Sequence, residues 1–228
     1  LVYGNTSGGV RIDGGSGRQV INNTVYQLTG DAIRVQSSAN TTTLRNNILV
    51  VGSGYGVSVA NDSQTGFTSD YNLFYTTGTG QVGLWQGSAR PTLNDWKFAI
   101  FGDGNSYYAD PLFIDPDGSA NALGYANGSD DGRDDDFHEM SLYGSFHGGS
   151  LAPVVDAVSG LPVLLTPTEV VDLQQSIGID KGYGTAVNEP APNGGFTNMG
   201  AYGNTSQASK SPSSYALVMS PNGEEGIT

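Results

Sequence analysis

The sequence predicts an all-β solenoid, a parallel β-helix, on three observations. Apolar pairs and alternating apolar runs recur in one phase through the first 85 residues, Asn-rich doublets precede the pairs, and the turns are built from Gly, Asn, Asp and Ser. The pairs are Val2-Tyr3, Val25-Tyr26, Val50-Val51 and Phe74-Tyr75. The runs are Val10-Arg11-Ile12, Ile33-Arg34-Val35, Val57-Ser58-Val59 and Val82-Gly83-Leu84, and their starts are separated by 23, 24 and 25 residues. A unit of this size, holding two or three short strands, can bury its apolar face only against its neighbours, so the units must stack. Period-two alternation and β-branched or aromatic residues make the stacked segments strands. The Leu-x-x-Leu-x-Leu pattern of leucine-rich repeats is absent.

Asn22-Asn23, Asn46-Asn47 and Asp70-Tyr71-Asn72 occupy equivalent places in successive units. Asn accepts left-handed backbone angles and bonds its own chain, so these residues are expected to stack at one corner of the coils. Tyr3, Tyr26, Tyr55, Tyr71 and Tyr75 lie near strand ends, where they serve coil packing or offer a face to a sugar ring.

After Trp85 the repeat breaks. Residues 92–102 read as a short helix: Thr92 caps it, Asp95 suits its third position, Gly102 ends it, and Leu93, Trp96, Ala99 and Ile100 share one face. It is expected to cover an edge or an end of the solenoid. Two acidic stretches follow, 110–118 and 130–138, and their carboxylates repel one another unless solvated or neutralised. Calcium is the candidate ion, since it takes several oxygens from Asp side chains and loop carbonyls. The candidate ligands are Asp115, Asp117, Asn121, Asp134, Asp135 and Asp136, in loops that lack the terminal Glu of an EF-hand. His138 and His147, the only histidines, read as partners of loop carbonyls.

Thr166-Pro167-Thr168-Glu169 has the residues of a helix start, with Val170, Val171, Leu173 and Ile177 as apolar contacts, so a second helix is expected there. Residues 179–209, dense in Pro and Gly, form an irregular tail that can close the open end of the solenoid. Residues 210–214 read as a linker, and the segment from Tyr215 as one strand that leads into a following module. The first repeat is already in phase at Leu1, as expected of a piece of a longer or processed chain with an export signal upstream.

Composition restricts function. The 22 acidic against nine basic residues give a net charge of −13, which opposes nucleic acids and anionic membranes. Acidic polysaccharides are repelled too, unless a divalent cation bridges them. No segment has the length of a membrane span. Cysteine is absent, so no disulfide holds the fold and the redox compartment cannot be read from it. Few charges, low Lys and many Thr, Ser, Asn and Gly make a composition suited to the extracellular space or cell surface. Asn5, Asn22, Asn40, Asn61, Asn127 and Asn204 open Asn-x-Ser/Thr sites for glycosylation. On the coils, Arg11 and Arg34 share a repeat position that Ser58 takes one unit later. The coil acids Asp13, Asp31, Asp62 and Asp70 form no pair at glycosidase spacing.

The second half carries a resemblance. Ala109-Asp-Pro-Leu-Phe-Ile-Asp-Pro, Asp136-Phe137-His138, Gly178-Ile-Asp-Lys-Gly, Glu189-Pro-Ala-Pro-Asn-Gly-Gly and Met199-Gly-Ala-Tyr-Gly-Asn204 together resemble the C-terminal part of bacterial surface or secreted proteins. These are right-handed parallel β-helices with a pectin-lyase-like fold. Phe196-Thr197 stands in place of the more usual basic-polar pair. The resemblance implies a right-handed coil, short capping helices and an irregular cap. In the enzymes of that fold it implies an arginine base with carboxylate-held calcium, or Asp residues clustered on consecutive coils. The expected function is a non-catalytic extracellular module for surface architecture, self-assembly or adhesion. Its partners are copies of itself or other surface proteins stacked end to end, or polysaccharide. The alternative is the C-terminal part of a polysaccharide lyase or glycoside hydrolase.

Overall fold

A computed structural model describes residues 1–126, 130–148, 154–155, 157–160, 162–163, 168–213, 217–219 and 225–227. Three strands per turn build the coils. The first turn has β1 (Val2–Tyr3), β2 (Gly8–Asp13) and β3 (Gln19–Ile21), and the second β4 (Thr24–Gln27), β5 (Asp31–Gln36) and β6 (Thr43–Arg45). The third has β7 (Ile48–Val51), β8 (Tyr55–Val59) and β9 (Thr68–Asp70). β10 (Leu73–Thr76) and β11 (Gln81–Trp85) start a fourth, which β12 (Ser88–Arg90) and α1 (Leu93–Ile100) interrupt before β13 (Tyr107–Tyr108). Parallel pairing stacks β1-β4-β7-β10-β13 on the first face, β2-β5-β8-β11 on the second and β3-β6-β9 on the third. This is the stacked parallel β-helix that the repeat predicted. The first face gains one more rung at β13, since Leu73 pairs with Tyr107 across the helical detour.

Two registers differ by one residue from the sequence reading. Leu49, not Val50, pairs with Val25 and Phe74, so the inward row of the first face is Val25, Leu49 and Phe74. On the second face Gly83, not Val82, pairs with Val57. Here the indole of Trp96 lies where a Cβ at position 83 would be, so only glycine fits this inward place. Apolar pattern alone cannot register a strand whose inward residue has no side chain.

The first sheet is buried on both faces. Val25, Leu49 and Phe74 point into the coil interior with Ile33, Val35, Val57 and Val59. Ile48, Val50 and Leu73 point outward into a second core with Phe113, Phe137, Met199 and Tyr202. That explains the unbroken apolar run 48–51, which a strand solvated on one side would interrupt with polar residues. Each fully buried aliphatic side chain stabilises by about 1.5–3 kcal/mol.

The Asn corner forms as predicted. Asn22, Asn46 and Tyr71 are left-handed, at φ 55°, 56° and 57°. Behind them the Asn23 amide donates to Asn47 Oδ1 at 3.0 Å, and the Asn47 amide to Asn72 Oδ1 at 3.0 Å. Asn72 continues the row by donating its own amide to Ser106 Oγ at 2.8 Å. Asn47 and Asn72 are fully buried, so each rung satisfies polar groups that water cannot reach.

Helix α1 closes the C-terminal end of the coil interior, in agreement with the expectation. The Thr92 hydroxyl accepts from the Asp95 amide and the Asp95 carboxylate accepts from the Thr92 amide, a reciprocal cap. Leu93 and Trp96 are buried in the coil core, with Ala99 and Ile100 packed against it. The left-handed residue that ends the helix is Phe101, at φ 52°, rather than Gly102. Gly102 is favoured for another reason, since a Cβ there would lie a tight 3.0 Å from the Ser69 carbonyl oxygen.

Phe113, Phe137, Met199 and Tyr202 of the remaining chain pack along the outside of the first sheet. β14 (Phe113–Asp115) pairs antiparallel with β17 (Asp136–Glu139), and β15 (Tyr125–Ala126) with β16 (Asp130–Asp131). β18 (Ser145–His147) pairs with β21 (Thr168–Val170), and β19 (Val154–Val155) with β20 (Pro162–Val163). The second helix expected from Thr166 does not form over the described residues. Thr166 and Pro167 lie outside them, and Thr168–Val170 is a strand. The intended helix contacts Val171 and Leu173 are exposed, at 66 % and 96 %, so no apolar face exists to hold a helix down. The tail does not cross an open end either. It clamps the side of successive coils: Ala201 donates to Thr24 Oγ1, Asn22 to the Gly203 carbonyl, and Asn46 exchanges two bonds with the Tyr183 backbone. At the C-terminus β22 (Leu217–Met219) pairs with β23 (Glu225–Ile227), so the strand expected there is half of a hairpin.

Candidate functional site

Two places carry polar chemistry on the coils and their wrapping. The first is the outer side of the second face, where β2 and β5 align Arg11 with Arg34 and β8 continues with Ser58. Arg11 Nε lies 2.5 Å from Asp13 Oδ2, and Arg34 Nη2 lies 2.7 Å from Asp31 Oδ2. Arg11, Asp31 and Arg34, with residues 7–10, line a cleft of about 460 Å³. The carboxylates of the coils are all engaged. Asp13 also accepts from Gln36 and Ser37, which with Arg11 hold its carboxyl below the ordinary value. Asp31 Oδ1 accepts from the Tyr55 amide, Asp62 from Ser63, and Asp70 from the Tyr71 and Asn105 amides and the Asn105 side chain. Arg45 is not on this face; its guanidinium lies 4.5 Å over the ring of Tyr183 and helps to hold the tail.

The second place is the acidic loop pair. β14 and β17 bring Asp115 opposite Asp136. Burial, then the neighbouring Asp117, Asp136 and Asp134 carboxylates, push the Asp115 carboxyl above its ordinary value. Asp134 goes the other way, held down chiefly by the Ala120 amide and also by the Ser119 hydroxyl. The six residues expected around a cation do not converge. Asp115, Asp117, Asp134 and Asp136 share one electrostatic neighbourhood, whereas Asp135 turns inward to accept from the Gly124 amide at 2.7 Å. Asp136 uses Oδ1 for the His138 amide and ring and Oδ2 for the Gly148 amide. Asn121, exposed and left-handed, donates to the Ser119 carbonyl. Among the described residues no three acidic or histidine side chains form a metal-holding group. The donor chemistry of Asp115, Asp117 and Asp134 suits a hard divalent ion, and their mutual repulsion is what such an ion would relieve.

Both histidines face carboxylates rather than loop carbonyls. His138, buried, places Nδ1 2.7 Å from Asp136 Oδ1 and Nε2 3.2 Å from Gln207 Oε1, and stacks on Tyr202 at 3.7 Å. His147 Nε2 lies 2.9 Å from Asp172 Oδ1 and 3.1 Å from Ser145 Oγ, which itself donates to Asp172. Because one nitrogen meets both partners, this is no relay from carboxylate through imidazole to a nucleophile.

Three buried carboxylates escaped the sequence reading. Asp103 accepts from Trp96 Nε1 at 2.7 Å and from Asn72, and burial pushes its carboxyl up. Glu139 is pushed up to about 8 by burial, with the Glu189 charge adding to it against a donating Ser176 hydroxyl. Glu189 is itself raised by burial; its Oε1 accepts from the Asn198 and Asn204 amides. Nothing in the local pattern around these residues separates them from solvated acids; only the packing of distant segments buries them.

Stacked parallel coils with a doubly buried sheet define the chain as a β-solenoid, a parallel β-helix of the right-handed type. The family model described as "Right handed beta helix region" matches residues 1–98, which span the coils and most of α1. No curated protein and no solved structure matches the chain.

Proposed function

We propose that the chain is a non-catalytic extracellular module of a bacterial surface or secreted protein, pectin-lyase-like in type. Its coils serve surface architecture, self-assembly or adhesion, through like modules or polysaccharide. The observation that carries this reading is the engagement of the coil carboxylates. Asp13, Asp31, Asp62 and Asp70 all hold structural partners, which leaves them poorly placed as a general acid and base. The low Lys content, the few charges and the many Thr, Ser, Asn and Gly residues support an extracellular setting. Calcium at Asp115, Asp117 and Asp134 would stiffen the loops that wrap the first sheet. A melting-temperature rise with calcium is expected in the native chain and absent from the D115N/D117N/D134N variant; an equal rise in both refutes the site.

The second reading, part of a lyase or hydrolase acting on acidic glycans, is favoured by the Arg11–Arg34 cleft. Incubation with pectate, alginate and neutral glycans, with and without calcium, separates the two. Turnover that is lost in R11A or R34A removes the non-catalytic reading. Light scattering tests self-assembly, which predicts a mass that rises with concentration.

A further inference from the structure

The outer face of the first sheet holds a pocket that belongs to neither place described above. Tyr26 on β4 and Tyr75 on β10 are both cross-strand partners of Val50 on β7. Neighbouring strands lie about 4.8 Å apart, so the two tyrosine strands are separated by about 9.6 Å. Between them the short side chain of Val50, only 2 % exposed, makes a floor. Asp110, Phe113, Pro116 and Met140 close the other sides and leave a cavity of about 260 Å³.

The pocket is electronegative. The negative charge of the Asp110 carboxylate pushes the Tyr75 phenol above its ordinary value; burial, then Asp117 and Asp110, do the same to Tyr26. Among the described residues Asp110, which lines the pocket, has no ion pair with Lys, Arg or His. Aromatic walls with an adjoining carboxylate are the chemistry that receives an organic cation, which is attracted to a ring within about 6 Å of its centroid. Tyr26 and Tyr75 flank the place directly over Val50 from the two neighbouring strands. A bare metal ion gains nothing from apolar walls, and a neutral sugar leaves the negative potential unanswered.

We propose that this pocket binds an alkylammonium cation, seated over Val50 between Tyr26 and Tyr75 with Asp110 as its counter-ion.

Choline is the probe, and 3,3-dimethylbutan-1-ol, which has the same shape without the charge, is the control. Each is titrated into the full chain while the tyrosine ring resonances are followed by NMR. Saturable shifts of Tyr26 and Tyr75 with choline are expected, with the alcohol at least about tenfold weaker. D110N, at an exposed position, is expected to weaken choline about tenfold, and Y75L to do so while keeping an apolar contact. Equal binding of both probes overturns the proposal. So does unchanged choline affinity in D110N and Y75L when both melt like the native chain. Saturation of the same resonances by glucose at lower concentration than choline also overturns it, in favour of a carbohydrate site.

Discussion

Replacing Glu139 by Gln removes a buried ionisable group and keeps its shape and its acceptor for the Ser176 hydroxyl. The native carboxyl is fully buried beneath the wrap, next to Leu73 of the first sheet and Gly178 of the tail, and burial raises it from 4.5 to about 8. The folded chain therefore holds a proton that the unfolded chain has released between pH 4.5 and about pH 8. Its contribution to stability is complete below pH 4.5 and is lost progressively as the pH rises to about 8. At about 1.36 kcal/mol per pH unit, the loss accumulated by pH 7 is on the order of 3 kcal/mol. Glutamine does not ionise, so E139Q is expected to be the more stable chain at pH 7 and to match the native chain near pH 4.5. Urea unfolding at intervals from pH 4.5 to 8.5 measures this. Asp103 and Asp115 are raised as well and tilt both curves alike, so the difference between the two chains reports Glu139 together with its coupling to Glu189. A difference that does not change with pH, or a variant less stable at pH 7, refutes the reasoning.

Three substitutions test the architecture. Asn47→Ala removes the acceptor of the Asn23 amide and the donor to Asn72 and Val20 in a dry interior, and should lower stability by about 2–4 kcal/mol in urea unfolding. Gly83→Val should be more damaging than Val82→Ala, because a side chain at 83 overlaps the Trp96 indole; quenching and red shift of Trp fluorescence would report displacement of α1. Phe101→Gly, at an exposed left-handed helix end, should raise the melting temperature slightly, for a gain of up to about 1 kcal/mol.

The period of the repeat, the strand character of its units, the Asn corner and the capped helix α1 were all legible in the sequence. Each depends on residues close together in the chain, or on a spacing that repeats. A unit of about 24 residues must stack, and a left-handed corner selects Asn from its own backbone. Tertiary structure decided the rest. The inward place of Gly83 depends on an indole that arrives 13 positions later, and Leu49 takes the inward row because Val50 faces a second core. That core exists only because Phe113, Phe137, Met199 and Tyr202 lie along the side of the coils. The same wrap makes a strand of Thr168–Val170, buries Glu139, turns Asp135 and Asp136 away from the loop surface and sets Asp110 beside Tyr75. Local pattern records which residues can face inward together; it does not record which distant segment supplies the other side of the contact.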